Sequence, residues 1–358
     1  VPAPEVRTTG LRWLLKPDSP LYIRPRPDPD LLRWLWAFWW KCNERDYRYG
    51  LDATARLNKR TLELFDAMAA DGVQFEMHEQ GLLFLFLHAA GAAHLARELR
   101  YMERYGSPPA RLLERPQLRA ELPLVSDDVE VGLLAPAERH VRPESLARGL
   151  TRRLGELGVP VRAGEAVQGF TCRNGRVTGV RTSKEEIPAS HVVLAAGIWS
   201  ARLARMVGTH IPLQAGKGYS VTMAAPTDTI TRPLYFMEAH VGVSPYAGAV
   251  RILGTMEFSG LNTNLMRPRI EALKRASRRY LSGLPIANVQ EEWTGMRPLA
   301  PDSLPVIGPA PTMKNVILAT GHAMLGITLG PATGEAVADV VAGCPDHELL
   351  APFRADRF

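Results

Sequence analysis

The chain has 358 residues, 46% hydrophobic and 22% charged, the profile of an ordinary globular protein large enough for a sizeable core and two domains. Its net charge of +6 is scattered, with Arg152-Arg153, Lys274-Arg275 and Arg278-Arg279 set among acidic residues; this excludes a nucleic-acid partner and leaves a mild attraction to an anionic membrane surface. Three widely spaced cysteines (Cys42, Cys172, Cys344) and nine histidines without a ligand spacing such as HExxH argue against a disulfide framework or a metal site.

In chain order, a proline-rich opening (Pro17, Pro20, Pro25, Pro27, Pro29) should run extended over a surface. The apolar run at 31–40, with Trp34, Trp36, Trp39 and Trp40, is too short to span a bilayer, which takes about 20 residues. It reads as a tryptophan-rich helix packed in the core, with membrane-surface docking as the alternative. The expected location is therefore cytoplasmic, or peripheral on the inner face of the membrane. Leu57, Leu62, Leu64, Phe65 and Met68 share one face of a helix expected over 54–71, which Asp71-Gly72 ends. Residues 81–87 read as a strand and 92–105 as a helix, before Pro108-Pro109 and Pro116 break the chain.

From 139 onward the pattern changes. Pro143 opens a helix that runs through Leu146, Leu150 and Leu154 to Gly158, and short strands are expected at 159–162 and 166–170. Asn174-Gly175 marks a hairpin. Residues 191–197 form an unbroken apolar run ending in small residues, as a fully buried parallel strand does. Alternating segments at 219–223, 241–243 and 250–254 favour antiparallel strands, interrupted by a basic helix near 268–281. Residues 315–321 repeat the buried-strand signature and lead through Gly326 and Gly330 into a helix near 331–342.

Open α/β sheets bind ligands beyond the carboxyl ends of their strands, where small residues let a cofactor approach the backbone. Two such ends occur here, Ala195-Ala196-Gly197-Ile198-Trp199-Ser200 and Gly321-His322-Ala323-Met324-Leu325-Gly326-Ile327-Thr328. With them the chain resembles the D-amino-acid oxidase-like family of FAD enzymes, in its bacterial D-amino-acid dehydrogenase branch. Leu213-Gln214-Ala215-Gly216-Lys217-Gly218, Glu292-Trp293-Thr294-Gly295-Met296-Arg297-Pro298 and the stretch at 13–20 are similar to other parts of that family. The resemblance implies an α/β fold with a discontinuous Rossmann-like FAD-binding domain at 136–212 and 299–358. An α+β substrate domain would combine a mostly helical part at 1–135 with an antiparallel sheet at 213–298. It also implies oxidation of a D-amino acid, or a D-proline-like secondary amino acid, by hydride transfer from Cα to flavin N5, with electrons passing to a quinone or other carrier. A glycine- or sarcosine-type oxidase using dioxygen is the alternative within the class. The alternative outside it is a non-catalytic flavoprotein subunit.

The family's glycine-rich dinucleotide fingerprint, GxGxxG, occurs nowhere in the sequence; Gly216-Lys217-Gly218 is the nearest echo. The expectation is a sequence that starts inside a longer protein; a partner chain supplying the nucleotide-binding unit and a degenerate protein are the alternatives. The resemblance gives Arg297 the task of holding the substrate carboxylate through paired charge-assisted hydrogen bonds; the rival role is a structural pair with Glu291 or Glu292. Tyr219 and Tyr246 are candidates to present hydroxyls to the substrate, and His322 to tune the flavin or to be a structural histidine. Ala195, Ala196, Gly197, Trp199 and Gly321 would line the cofactor, Val167 its adenine side. Backbone groups of Met324, Leu325, Gly326, Ile327 and Thr328 would face the pyrimidine end of the ring; a plain core role is the alternative for Met324 and Leu325.

Overall fold

The computed structural model describes residues 2–4, 6–7 and 19–358. The sequence motif at 13–20 therefore lies outside the described residues except for Ser19 and Pro20. After strand β1 (Leu21–Ile23), Asp28 caps helix α1 (Pro29–Lys41) by accepting the Leu31 N–H at 3.0 Å, with Pro29 at the first helical position. Only Leu31 and Trp34 of α1 are buried; Trp36, Trp39 and Trp40 are 63%, 44% and 55% exposed. This corrects the expectation of a helix wholly packed in the core: its tryptophans divide between an inner and an outer face. No helix among the described residues is long and apolar enough to cross a membrane.

The helix expected over 54–71 is two helices, α2 (Glu44–Asn58) and α3 (Thr61–Ala70). Both reach one core, Leu57 of the first and Leu64 of the second packing with Leu304, Leu329 and Ala336, and Phe65 also meets Phe75. There follow β2 (Met77–His78), β3 (Leu82–Phe86), α4 (Ala89–Met102), β4 (Arg111–Glu114), α5 (Arg115–Glu121), β5 (Val131–Ala135), β6 (His140–Val141) and α6 (Pro143–Glu156). Residues 159–162 form no strand and stay exposed; Pro160 removes a ladder donor from so short a run. β7 (Val167–Arg173) and β8 (Arg176–Thr182) make the expected hairpin, with Asn174 and Gly175 both at positive φ, and β9 (Glu186–Pro188) completes that sheet.

β10 (Val192–Leu194) leads through a 3-10 turn (Gly197–Trp199) into α7 (Ser200–Met206). Then come β11 (Gln214–Ala224), β12 (Leu234–Phe236), β13 (Val241–Tyr246), β14 (Ala249–Phe258), α8 (Arg267–Tyr280) and β15 (Val289–Leu299). The chain continues with β16 (Val306–Pro309), β17 (Val316–Thr320) and α9 (Gly326–Ala342). Helix α9 starts five residues earlier than expected and carries Pro331 inside it, forfeiting a ladder bond without ending.

Two sheets position the site. The larger has the order β15-β11-β14-β13-β12-β3-β5-β4, mostly antiparallel, with β1 parallel to the end of β14. One of its faces is sealed by α8: Ile270, Leu273 and Tyr280 pack with Tyr219, Val221, Phe236 and Ile252, and Tyr280 stacks on Phe236 at 4.4 Å. The smaller sheet has the order β10-β17-β16, β10 and β17 running parallel with Val192–Leu194 beside Val316–Leu318. Burial on both faces holds along β17 but not β10, where Val193 is 42% exposed.

Candidate active site

The parallel register puts the two glycine-ended strands side by side. Leu194 faces Leu318, and two residues on Thr320 Oγ1 donates to the Gly197 carbonyl at 2.8 Å. Gly197 and Gly321 both have positive φ (54° and 76°), and a Cβ built on Gly197 would meet nothing within 4 Å. Ala195 is exposed and Ala196 half-buried beside them, while Trp199 is exposed and lines a cavity of about 870 Å³ with Ile198, Leu213 and Trp34.

Beyond β17, α9 begins at Gly326 with no side-chain cap. The N–H groups of Gly326, Ile327 and Thr328 therefore lack intrahelical acceptors and carry the partial positive charge of a helix start. Met324, Leu325, Gly326, Ile327 and Thr328 are all exposed, so the core role considered for Met324 and Leu325 does not hold. His322 is different: its Nε2 lies 2.9 Å from Thr333 Oγ1, and burial pulls its pKa down to about 4, so the ring is neutral at physiological pH and tied to α9. Val167 sits half-exposed on the separate β7-β8-β9 sheet.

Contacts across the sheets bring Arg297 to this place. Leu299, at the end of β15, bridges to His322, and the Ala323 N–H donates to the Pro298 carbonyl at 3.1 Å. Arg297 thus sits two residues from the exit of β17. Its side chain lies across β11 above Gly218, whose missing Cβ leaves the room that the guanidinium fills. Arg297 Nη1 donates to the Thr255 carbonyl on β14 at 3.0 Å. Both acids considered as partners are engaged elsewhere, Glu292 with Lys274 at 3.3 Å and with Arg267, Glu291 with Arg251 at 3.7 Å. Among the described residues Arg297 has no carboxylate partner. Burial pulls its pKa below the usual value, which is the mark of a cation short of both water and counter-charge.

Tyr235 on β12 feels the charge of Arg297, and burial pushes its hydroxyl above the usual tyrosine pKa, keeping it protonated. Sequence reasoning passed over this tyrosine; its signal was a lone polar aromatic in the short apolar run Leu234-Tyr235-Phe236, whose neighbours face the core. The two tyrosines expected to meet substrate stand elsewhere. Tyr219 is 1% exposed on the α8 side of the sheet, its hydroxyl donating to Glu257 Oε2 at 2.6 Å. Adjacent residues of a strand face opposite sides, so Gly218 on the Arg297 side sends Tyr219 to the other. Tyr246 sits in the β13–β14 hairpin, flanked by Arg142 and Arg251, each 5.5 Å from its ring centre. From its partner Ala249 to Thr255 is about 20 Å at roughly 3.4 Å per residue.

This arrangement, glycine-ended parallel strands with an uncapped helix start beside a sheet face carrying an unpaired arginine, is one that a cofactor can approach closely along the backbone. A family model for FAD dependent oxidoreductases (DAO) matches residues 32–340, and the chain belongs to that family. The D-amino acid dehydrogenase of Granulibacter bethesdensis is 30% identical over 370 residues, covering 98% of this chain and 85% of that protein. In fold, the chain is similar to L-proline dehydrogenase from P. horikoshii (TM-score 0.76, 22% identity, 85% of this chain and 82% of that one). It is likewise similar to glycine oxidase from Bacillus cereus ATCC 14579 (TM-score 0.75, 22% identity, 82% of each chain). The protein is an FAD-dependent enzyme, and its residues fit the ring end of that cofactor. The open Gly197 corner and the unpaired N–H groups of Gly326, Ile327 and Thr328 provide close backbone approach and an anion-stabilising edge.

Proposed function

We propose that the protein oxidises a D-amino acid, or a D-proline-like secondary amino acid, to the imino acid, and passes the electrons to a quinone or another carrier. The observation that carries this reading is Arg297: a desolvated cation, braced by Thr255 and lacking a carboxylate, beside the strand ends that suit the flavin. FAD, when bound, supplies the acceptor for the hydride leaving Cα. The chain's own residues do the positioning. Arg297 would take the substrate carboxylate in two parallel charge-assisted hydrogen bonds. The Tyr235 hydroxyl, protonated at neutral pH, would donate to the same group. Two donors on one carboxylate fix the rotation of the substrate, and hence the direction of its Cα–H. Phe84, whose ring meets Tyr235 edge-on at 6.1 Å, would shield that hydroxyl from water. Apposition of the two domains at 136–212 plus 299–358 and at 1–135 plus 213–298 belongs to this same reading.

Replacing Arg297 by Ala or Lys should lower kcat/KM by about 1.5–3 kcal/mol, on the order of 10- to 150-fold. Unchanged kcat/KM in both variants would remove the assignment. Hydrogen peroxide formed stoichiometrically under air, in place of quinone reduction, would identify an oxidase. Association with the membrane surface is part of the proposal, supported by the outward Trp36, Trp39 and Trp40 of α1.

A further inference from the structure

Behind the Arg297 face, sealed under α8, lies a charged cluster that the proposed chemistry does not use. Lys217 and Glu257 are each 1% exposed and paired at 2.9 Å, and Arg269, fully buried, approaches Glu257 at 3.5 Å. Burying such groups is costly, and an ion pair of this kind is weak evidence for stability. Its place in the sheet gives it a use. On β11 and β14, Tyr219 pairs with Gly254 and Lys217 with Glu257, so Thr255 and Met256 together oppose the single residue Gly218. This is a β-bulge, and its first residue, Thr255, has φ +62°, a left-handed conformation that a β-branched residue adopts only under constraint. The Thr255 hydroxyl is buried without a hydrogen-bond partner, so its own side chain does not hold it there.

The cluster supplies the constraint. The Glu257 carboxylate binds Lys217 on one side of Gly218 and Tyr219 on the other. Lys217 Nζ also donates to Asn262 Oδ1 at 2.8 Å, and Arg269 donates to the carbonyl of Met256, the second bulge residue, at 3.1 Å. Both strands are thus stapled around the bulge, and the product of the bulge on the opposite face is a carbonyl aimed at Arg297. We propose that Lys217, Glu257 and Arg269 are positioning residues. They hold Thr255 in its left-handed turn so that its carbonyl fixes the Arg297 guanidinium for the substrate carboxylate.

This inference rests on Arg297 being the carboxylate clamp, and the test separates the two. The protein is titrated with propionate and with propionamide, the same molecule without the charge, and the ratio of the two affinities is read. Lys217→Met/Glu257→Gln removes one charge of each sign and leaves the net charge of the cluster unchanged. In the folded variant it should shrink the ratio about 5- to 10-fold, while Tm falls because buried Arg269 loses the Glu257 carboxylate. In the holoenzyme, KM for the amino acid should rise while kcat holds, a split that general loosening would not produce. Adding Thr255→Gly, which takes the left-handed turn freely, should restore at least half of the lost ratio. If the double variant does not fold, Glu257→Asp gives the same reading with the charge retained and the staple shortened. A ratio unchanged in the folded variant, or a loss that Thr255→Gly fails to rescue, overturns the positioning role. A ratio unchanged in Arg297→Met overturns the clamp itself.

Discussion

Gly218→Ala gives the sharpest separation of fold from function in this molecule. A Cβ on Gly218 would stand well inside contact distance of the Arg297 guanidinium carbon and both terminal nitrogens. Those atoms are the far end of a flexible side chain, so Arg297 swings away and the backbone does not move. The backbone of Gly218 is outside the left-handed region, so alanine fits it without strain. Replacing glycine in a strand interior then gains roughly 0.5–1 kcal/mol through the unfolded state. Displacement of the guanidinium removes paired charge-assisted bonds worth about 1.5–3 kcal/mol, so kcat/KM should fall on the order of 10- to 150-fold, chiefly through KM. Thermal unfolding followed by circular dichroism should show Tm held or slightly raised. Gly216→Ala is the control: its Cβ would overlap Leu299 Cδ1 and Met256 Sδ in the apolar packing beneath Trp34, so it should lower Tm. The reasoning is refuted if Gly218→Ala keeps the parent KM, or if it loses Tm as Gly216→Ala does.

His322 makes a pH prediction. Its pKa of about 4 lies below the ordinary 6.5, so between those values the unfolded chain binds a proton that the native ring refuses. Stability is therefore complete above pH 6.5 and falls toward pH 4, by at most about 3 kcal/mol before solvent screening reduces it. Tm measured from pH 4 to 7 should have a shallower slope in His322→Gln; an identical slope would show that the ring is solvated. At the outer face of α1, Trp36→Ser/Trp39→Ser/Trp40→Ser should weaken sedimentation with phosphatidylglycerol-containing vesicles at least 10-fold. If the triple variant pellets as the parent does, or changes only its oligomeric state by light scattering, the membrane role of that face is lost.

What the sequence disclosed was whatever a single segment encodes. The small-residue ends of β10 and β17, the Asn174-Gly175 hairpin and the start of α6 at Pro143 are all local patterns of turn chemistry and hydrophobic run. Their adjacency also came through, because two apolar runs ending alike in small residues belong in one parallel sheet. The site residues missed were those that depend on register. Thr255 owes its left-handed turn to a bulge that exists only when β11 and β14 are paired. Tyr235 feels the charge of Arg297 only because β12 and β15 enter the same sheet, 62 positions apart in the chain being no guide to their distance.

Tyr219 and Gly218 show the limit from the other side. Alternation along β11 is plain in Gly216-Lys217-Gly218-Tyr219, glycines on one face and long polar side chains on the other. Chemistry by residue type assigns the polar face to the ligand and the bare face to packing; in the proposed site the two roles are exchanged. The bare face leaves room for the Arg297 side chain, which crosses from the neighbouring strand and lies over Gly218; on the proposed reading that guanidinium is kept for the substrate carboxylate. The polar face is buried under α8, where Glu257 can collect Lys217, Tyr219 and Arg269 at once. In this sheet the lysine and tyrosine flanking Gly218 thus stand directly behind the Arg297 crossing, joined through Glu257 to the neighbouring strand.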